Sequence, residues 1–271
     1  KSLGKGKITH GLILAGGKGT RFKPITNEIP KPMIPLHDKP LMEHTIDLFK
    51  KYGITNILIS IGYKGEKIRH AIGDGRRFGV GVTYVEESKP LGTAGPLRLA
   101  RSFLNGTFFV TNADELKELD LRDLYMFHKE NKAVATIALT TVDNPSMYGV
   151  AKMQGNHILE FVEKPKKEAA PSNLINSGIY IMEPEVFEYI PEDGYAMLEK
   201  EVFPRLAREG KLCGYPFSGQ WYNTGTLELK PGATDYKALI DGEPLPCSEA
   251  ICQVKLKTGA YQLFLEKEKH A

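Results

Sequence analysis

The sequence predicts an α/β fold, a Rossmann-like and mostly parallel sheet flanked by helices. Three observations predict it. Short β-branched runs alternate with helical patterns through the first half, as right-handed crossovers between parallel strands require. The first run, residues 8–15, empties directly into Gly16, Gly17 and Gly19. From Ala133 onward the texture turns rich in strand-like segments, with no linker composition to mark an independent domain.

Taken in order, residues 8–15 read as a buried strand because their apolar run is nearly continuous. Residues 22–40 carry Pro24, Pro30, Pro32, Pro35 and Pro40, so they predict an extended loop lying over the strand ends. Pro40 can open a helix; Leu41, Ile46, Leu48 and Phe49 recur at helical spacings until Tyr52 and Gly53 end it. Then follow a strand at 56–61, a helix at 65–72, a strand at 80–85, a helix near 93–104 and a strand at 107–111. In such sheets ligands bind beyond the carboxyl ends of strands, where residues 16–19 and 112–115 would both lie. The later strands are expected at 133–142, 149–153, 157–162 and 175–181, with helix around 185–189 and 197–208. Past Leu229 the pattern suggests a helix near 234–240 and strands near 250–256 and 261–265, with a packing or oligomer-contact role.

Composition narrows the function. With 271 residues, 41% hydrophobic and 25% charged, the chain is an ordinary globular protein with length enough for a large core. A net charge of +3 from 36 basic and 33 acidic residues is too balanced for a nucleic-acid binder. Cys213, Cys247 and Cys252 lack Cys-x-x-Cys spacing and argue against structural zinc or a disulfide framework. No apolar run has signal-peptide or membrane-span length, and the expectation is a cytoplasmic protein with no membrane partner.

The glycine run carries the chemistry. Residues without a Cβ let main-chain N–H groups converge on a polyphosphate, while Lys18 and Arg21 add positive charge. Two familiar phosphate loops do not fit: Lys18 is followed by Gly19 rather than Ser or Thr, and after Gly17 and Gly19 the third glycine position is Phe22.

The run Gly16-Gly17-Lys18-Gly19-Thr20-Arg21-Phe22-Lys23-Pro24, then Lys31-Pro32-Met33 and Pro40-Leu41-Met42-Glu43, resembles the opening signature of the sugar-1-phosphate nucleotidylyltransferases. Pro90-Leu91-Gly92-Thr93-Ala94-Gly95, Glu163-Lys164-Pro165, Asn176-Ser177-Gly178-Ile179-Tyr180 and Trp221-Tyr222-Asn223-Thr224-Gly225-Thr226 agree, so the likeness covers roughly residues 8–228. It is similar above all to the mannose-1-phosphate guanylyltransferase and glucose-1-phosphate nucleotidylyltransferase types. The resemblance implies one continuous mixed sheet of the nucleotide-diphospho-sugar transferase type over residues 1–229, with a nucleotide-binding half at about 8–132 and a sugar-binding half at about 133–229. Residues 230–271 are then a C-terminal extension, too short and aperiodic for the β-helix many relatives append.

What the resemblance implies for the site can be assigned residue by residue. Arg21, Lys31 and Asp114 match the catalytic positions. Leu14, Ala15, Gly16, Gly17, Gly19, Thr20, Gly92, Thr93 and Asn112 match the nucleotide-binding face, with Glu86 or Glu87 just upstream of the base loop. Gly149, Glu163, Lys164, Asn176, Gly178 and Thr224 match the sugar-phosphate site, and Asp114 with Asn223 the Mg²⁺ site. The expected partners are a nucleoside triphosphate and a sugar 1-phosphate, with a homo-oligomer also open. Two positions depart from the family pattern: Ala113 stands where relatives have glycine, and Asn223 where they have a second aspartate. An amide oxygen can coordinate a hard cation but brings no charge. Two readings stay open beside guanylyl transfer to mannose 1-phosphate. One is uridylyl or thymidylyl transfer to glucose 1-phosphate; the other is a weakly active or non-catalytic regulatory subunit that binds a nucleotide sugar. A glycosyltransferase fits less well, because no Asp-x-Asp triplet occurs near Asp114.

Overall fold

The computed structural model describes residues 8, 10–20, 26, 29–36, 39–219, 221–223, 236–240, 243–247, 251–255 and 262–266. For 35–36, 116–117 and everything from 221 onward it describes the backbone alone.

Strand β1 (Gly11–Ala15) leads to the two-residue strands β2 (Pro35–Leu36) and β3 (Lys39–Pro40) and into helix α1 (Leu41–Lys51). On α1, Leu41, Met42, Thr45, Ile46 and Phe49 form the buried stripe. Glu43 in its first turn and Lys50 and Lys51 in its last oppose the helix dipole. The alternation then runs through β4 (Asn56–Ile61), α2 (Gly65–Ile72), β5 (Gly81–Glu86), α3 (Gly95–Ala100), β6 (Phe108–Asn112) and the short β7 (Glu115–Lys117). Helix α4 (Leu121–Asn131) begins where the Asp120 carboxylate accepts the N–H groups of Arg122 and Asp123. The second half comprises β8 (Ala135–Thr141), β9 (Gly149–Gln154), β10 (His157–Glu163), β11 (Leu174–Met182), α5 (Phe203–Arg208), β12 (Leu212–Pro216) and β13 (Trp221–Asn223).

Nine strands form one mixed sheet in the order β5-β4-β1-β6-β11-β8-β12-β10-β9. β5, β4, β1 and β6 run parallel, and β11 joins β6 antiparallel, so the two halves share an uninterrupted sheet. Both faces are covered. Leu12, Leu58 and Val110 belong to one buried cluster, while their strand neighbours Ile13, Ile59 and Phe109 belong to the other. This double burial explains why the apolar run that ends in β1 reads as continuous rather than alternating.

Several expectations change. The expected helix near 93–104 is α3 followed by a 3-10 turn, Arg101–Phe103, and that at 185–189 is a 3-10 helix, Pro184–Tyr189. The expected helix at 197–208 opens as a π turn, Leu198–Val202, before α5; Pro204, which has no N–H to donate, sits at that junction. In the extension, the helix expected near 234–240 is instead strand β14 (Tyr236–Ile240), paired antiparallel with β15 (Glu243–Cys247). The Asp-Gly dipeptide at 241–242 is a strong hairpin signal and outweighs the short helical pattern. β16 (Ile251–Lys255) pairs with β17 (Gln262–Glu266) where strands were expected. Among the described residues no helix is long and apolar enough to cross a membrane.

At the end of the sheet where β6 begins, a polar cluster ties four elements together, β6, α4, β8 and β11. Glu183, just past β11, accepts from Thr107 Oγ1 at 3.0 Å and from Lys129 Nζ at 2.6 Å. His128 is buried between Thr136 Oγ1 at 2.8 Å and Glu183 Oε1 at 3.3 Å. Burial would raise the Glu183 carboxyl, but hydrogen bonds from His128, Lys129 and Thr107 outweigh it and hold the group at about 2.

Candidate active site

At the opposite end, β1 releases the chain into residues 16–19. Gly16 faces the Glu87 carboxylate so closely that a Cβ would fall 2.1 Å from Oε1, and Gly19 has φ +58°. The loop is braced from below: Tyr63 N–H donates to the Gly16 carbonyl at 3.3 Å, and Thr26 Oγ1 to the Gly19 carbonyl at 2.9 Å. These contacts hold open a cleft of about 410 Å³. Leu14, Ala15, Gly16, Gly17, Gly19, Thr20, Gly92, Thr93 and Asn112 line it, together with Lys31 and Asp114. Such a site, at the carboxyl ends of parallel strands, is where α/β sheets bind ligands.

Lys31 comes from a 3-10 turn, Lys31–Met33, set by Pro30 and Pro32. Its ammonium meets Asp114 Oδ2 at 2.5 Å, although 83 residues separate the two in sequence. The Lys31 side chain is 7% exposed and that of Asp114 is 32% exposed, and both residues line the cleft. Ala113 is not among the residues with positive φ, and its N–H donates to the Leu14 carbonyl at 3.2 Å. The methyl group is therefore accommodated without strain. After Asp114 the chain enters strand β7, not a helix, and β13 pairs with it so that Asn223 stands in register with Glu115. The backbone thus brings the two candidate metal positions side by side; the Asn223 side chain, Arg21 and Thr224 lie outside the described residues.

The described sugar-phosphate candidates lie at the start of β9, at the end of β10 and within β11. Glu163 Oε1 lies 3.5 Å from Lys164 Nζ, and Lys164 has φ +49° while its N–H donates to the Tyr148 carbonyl at 2.9 Å. A left-handed lysine is costly and persists only where its surroundings impose it. Gly149 leaves room for Phe161 and for Glu163 Oε2, which lies 3.0 Å from where its Cβ would be. Asn176 donates to the Tyr180 hydroxyl at 2.9 Å and accepts from Gly178 N–H at 2.8 Å, across an irregularity in the β11–β8 register. Gly178, with φ +70°, abuts Glu115 and Asn112, so this set meets the nucleotide set across β6 and β11.

Three cleft-side residues carry more than sequence reasoning assigned them. Glu87, offered there only jointly with Glu86, lines the cleft with a fixed carboxylate: Ser60 Oγ donates to Oε1 at 2.5 Å and Leu91 N–H to Oε2 at 3.2 Å. Tyr195 also lines the cleft, and Glu199 receives the Thr93 hydroxyl at 2.5 Å. Thr93 therefore does not cap α3, whose N-cap is Ala94. The Thr93–Glu199 contact spans 106 residues, so no local pattern could show it.

Comparison with known proteins agrees with this geometry. A family model described as nucleotidyl transferase matches residues 10–229. The mannose-1-phosphate guanyltransferase of Saccharomyces cerevisiae is 40% identical over 222 residues, covering 79% of this chain and 61% of that protein. A crystal structure from Bacillus anthracis, described as a glucose-1-phosphate thymidylyltransferase, superposes with TM-score 0.74 at 31% identity, covering 80% of this chain and 90% of the other. A UDP-glucose pyrophosphorylase complexed with UDP-glucose gives TM-score 0.70 at 26% identity, covering 81% and 94%. The chain spans about 60% of the length of the curated relatives it matches. Matched over four-fifths of its length, the chain belongs to the nucleotidyl transferase family.

Proposed function

We propose that this protein transfers a nucleotidyl group from a nucleoside triphosphate to a sugar 1-phosphate, giving a nucleotide sugar and pyrophosphate. The observation that carries the proposal is the convergence of the glycine loop and the Lys31–Asp114 pair in one cleft at the strand ends. In the reaction a phosphate oxygen of the sugar phosphate attacks the α-phosphorus while the bond to pyrophosphate breaks. No covalent enzyme intermediate is needed, so the protein acts by alignment and charge.

Peptide N–H groups of residues 16–20 would cradle the triphosphate, with Lys31 and Arg21 as cations against its phosphates. Lys164 would hold the sugar phosphate, while Glu163 and Asn176 would accept or give hydrogen bonds to sugar hydroxyls. Gly149, Gly178 and Thr224 would leave the ring its space. Mg²⁺, when bound, would neutralise phosphate charge. The Asp114 carboxylate lines the cleft beside the glycine loop and suits this ion, which is ordinarily held by one or two carboxylates and completed by substrate phosphates. Asp114 would hold it, with Asn223 as a neutral second donor.

Guanine is the base supported best. Its adjacent N1–H and N2–H₂ donors suit the two oxygens of the fixed Glu87 carboxylate, which would repel the carbonyl oxygens flanking the single N–H of uracil or thymine. The relatives named mannose-1-phosphate guanyltransferase point the same way. Pyrophosphate release from GTP, UTP and dTTP, each paired with mannose or glucose 1-phosphate, tests the proposal. Release confined to GTP with mannose 1-phosphate is the expected result. Release from no pair, with GTP bound, would favour a regulatory subunit, for which Asn223 is the supporting feature.

A further inference from the structure

One wall of the cleft is a seam between the halves. Ala94 N–H donates to the Ala196 carbonyl at 3.0 Å, and Ala196 N–H returns a bond to the Leu91 carbonyl at 3.0 Å. The Thr93 hydroxyl accepts Leu198 N–H at 2.8 Å and donates to Glu199 Oε2 at 2.5 Å. At Gly92, with φ +79°, a Cβ would lie 2.2 Å from the Ala196 carbonyl oxygen and 3.3 Å from Tyr195 Cζ. Only glycine permits so close an approach. Glu199 is itself buried; burial raises its pKa, against the Thr93 hydrogen bond that lowers it.

Tyr195, the first residue of this seam, is different in kind. It is 62% exposed, yet it lines the cleft beside Leu91 and Gly92. A phenol ring with that much surface in water adds little to the packing of the fold. Next to it the cleft wall is apolar, from Leu91 and Pro96, with the Glu87 carboxylate also lining the cavity. A flat aromatic ligand with polar edges would cover the ring and the wall together.

We infer that residues 195–199, contributed by the sugar half, form a clamp for the nucleobase. Tyr195 lies against the face of the base, and the Thr93–Glu199 link keeps the clamp in register with the loop at 91–94. The inference rests on the reading of this cleft as a nucleoside triphosphate site. It makes the sugar half part of the nucleotide site, so that neither half is a complete binding unit.

Calorimetric titration of the full chain with GTP and with inorganic tripolyphosphate, both with Mg²⁺, separates the base from the phosphates. Tyr195→Ala is expected to weaken GTP about tenfold or more, the range of base–aromatic stacking, and to leave tripolyphosphate within about twofold. Tyr195→Phe should keep GTP within about threefold of the unaltered protein. Glu199→Ala should also weaken GTP, and Glu199→Gln, whose amide oxygen can still accept the Thr93 hydrogen bond, should restore it. Equal GTP affinity in the unaltered and Tyr195→Ala proteins overturns the clamp and leaves the cleft's reading standing. Parallel loss of GTP and tripolyphosphate in Tyr195→Ala overturns it as well, because the ring would then be acting on the whole fold. Failure of the unaltered protein to bind either ligand overturns the nucleotide reading and the clamp with it.

Discussion

Strand β6 has a charged group just beyond each end, and the two sites differ in what surrounds the charge. Near Thr107, where the strand begins, the Glu183 carboxylate is held by a hydroxyl, an ammonium and an imidazole, all from the chain itself. Past Asn112, where it ends, Asp114 meets Lys31 and lines the cleft. The same elements, a carboxylate and a lysine, thus serve two purposes. A carboxylate that takes three hydrogen bonds from its own chain stabilises the fold, whereas one that lines a cavity is placed for a ligand.

Substitutions at the two ends should therefore separate activity from stability. Lys31→Ala is expected to lower kcat/KM by about 10²–10³-fold, the scale of a lost charge-stabilising donor, with a small change in melting temperature. Steady-state kinetics beside a thermal melt would decide it; a large melting shift with little kinetic loss would make the pair structural.

Glu183→Ala should do the reverse, costing about 2–3 kcal/mol of stability while kcat/KM stays near its original value. Its acid dependence has a definite sign. The folded carboxyl sits at about 2 against an ordinary 4.5, so its contribution is full above about 4.5 and is lost as pH falls toward 2. Melting temperatures between pH 6 and 2.5 should fall less steeply in Glu183→Gln than in the unaltered protein, and identical slopes would contradict the assignment.

Smaller effects sharpen the cleft end alone. Gly16→Ala drives a methyl group into Glu87 and should raise the nucleotide KM about tenfold, since relieving the overlap moves the loop or the carboxylate. Asn223→Asp should lower the Mg²⁺ concentration for half-maximal rate several-fold, by supplying the charge the amide lacks. An unchanged metal requirement would remove Asn223 from the ligand set.

Much of this was legible in the sequence, for reasons that differ by element. β1 and its glycines stand out because a strand buried on both faces is apolar throughout and the loop after it is bare. The strand and helix alternation already implied that residues 16–19 and 112–115 share the carboxyl ends of a parallel sheet, and the β1–β6 pairing puts them side by side; the Lys31–Asp114 pair depends on a turn 83 residues away in sequence, which no local pattern shows. Helix α4 is harder to read: Asp120 and the spacing of Leu121, Leu124, Tyr125 and His128 mark it, but the charged Arg122, Asp123 and Lys129 dilute the apolar pattern. β12 was hidden by Gly214, which is poor in strands in general. Here its missing side chain admits Met153 and Leu139. The seam joining Thr93 to Glu199 depends on chain segments remote from each other, and Glu199 sits in a polar run that reads as an ordinary helix surface.

In the proposed reaction the sugar phosphate is the nucleophile at the α-phosphorus. Mannose 1-phosphate carrying ¹⁸O in its non-bridging phosphate oxygens, turned over with unlabelled GTP and Mg²⁺, tests this by mass spectrometry of both products. The expected outcome is a nucleotide sugar that retains every labelled oxygen and pyrophosphate that carries none. Label in the pyrophosphate, or guanosine nucleotide released without sugar attached, would contradict it.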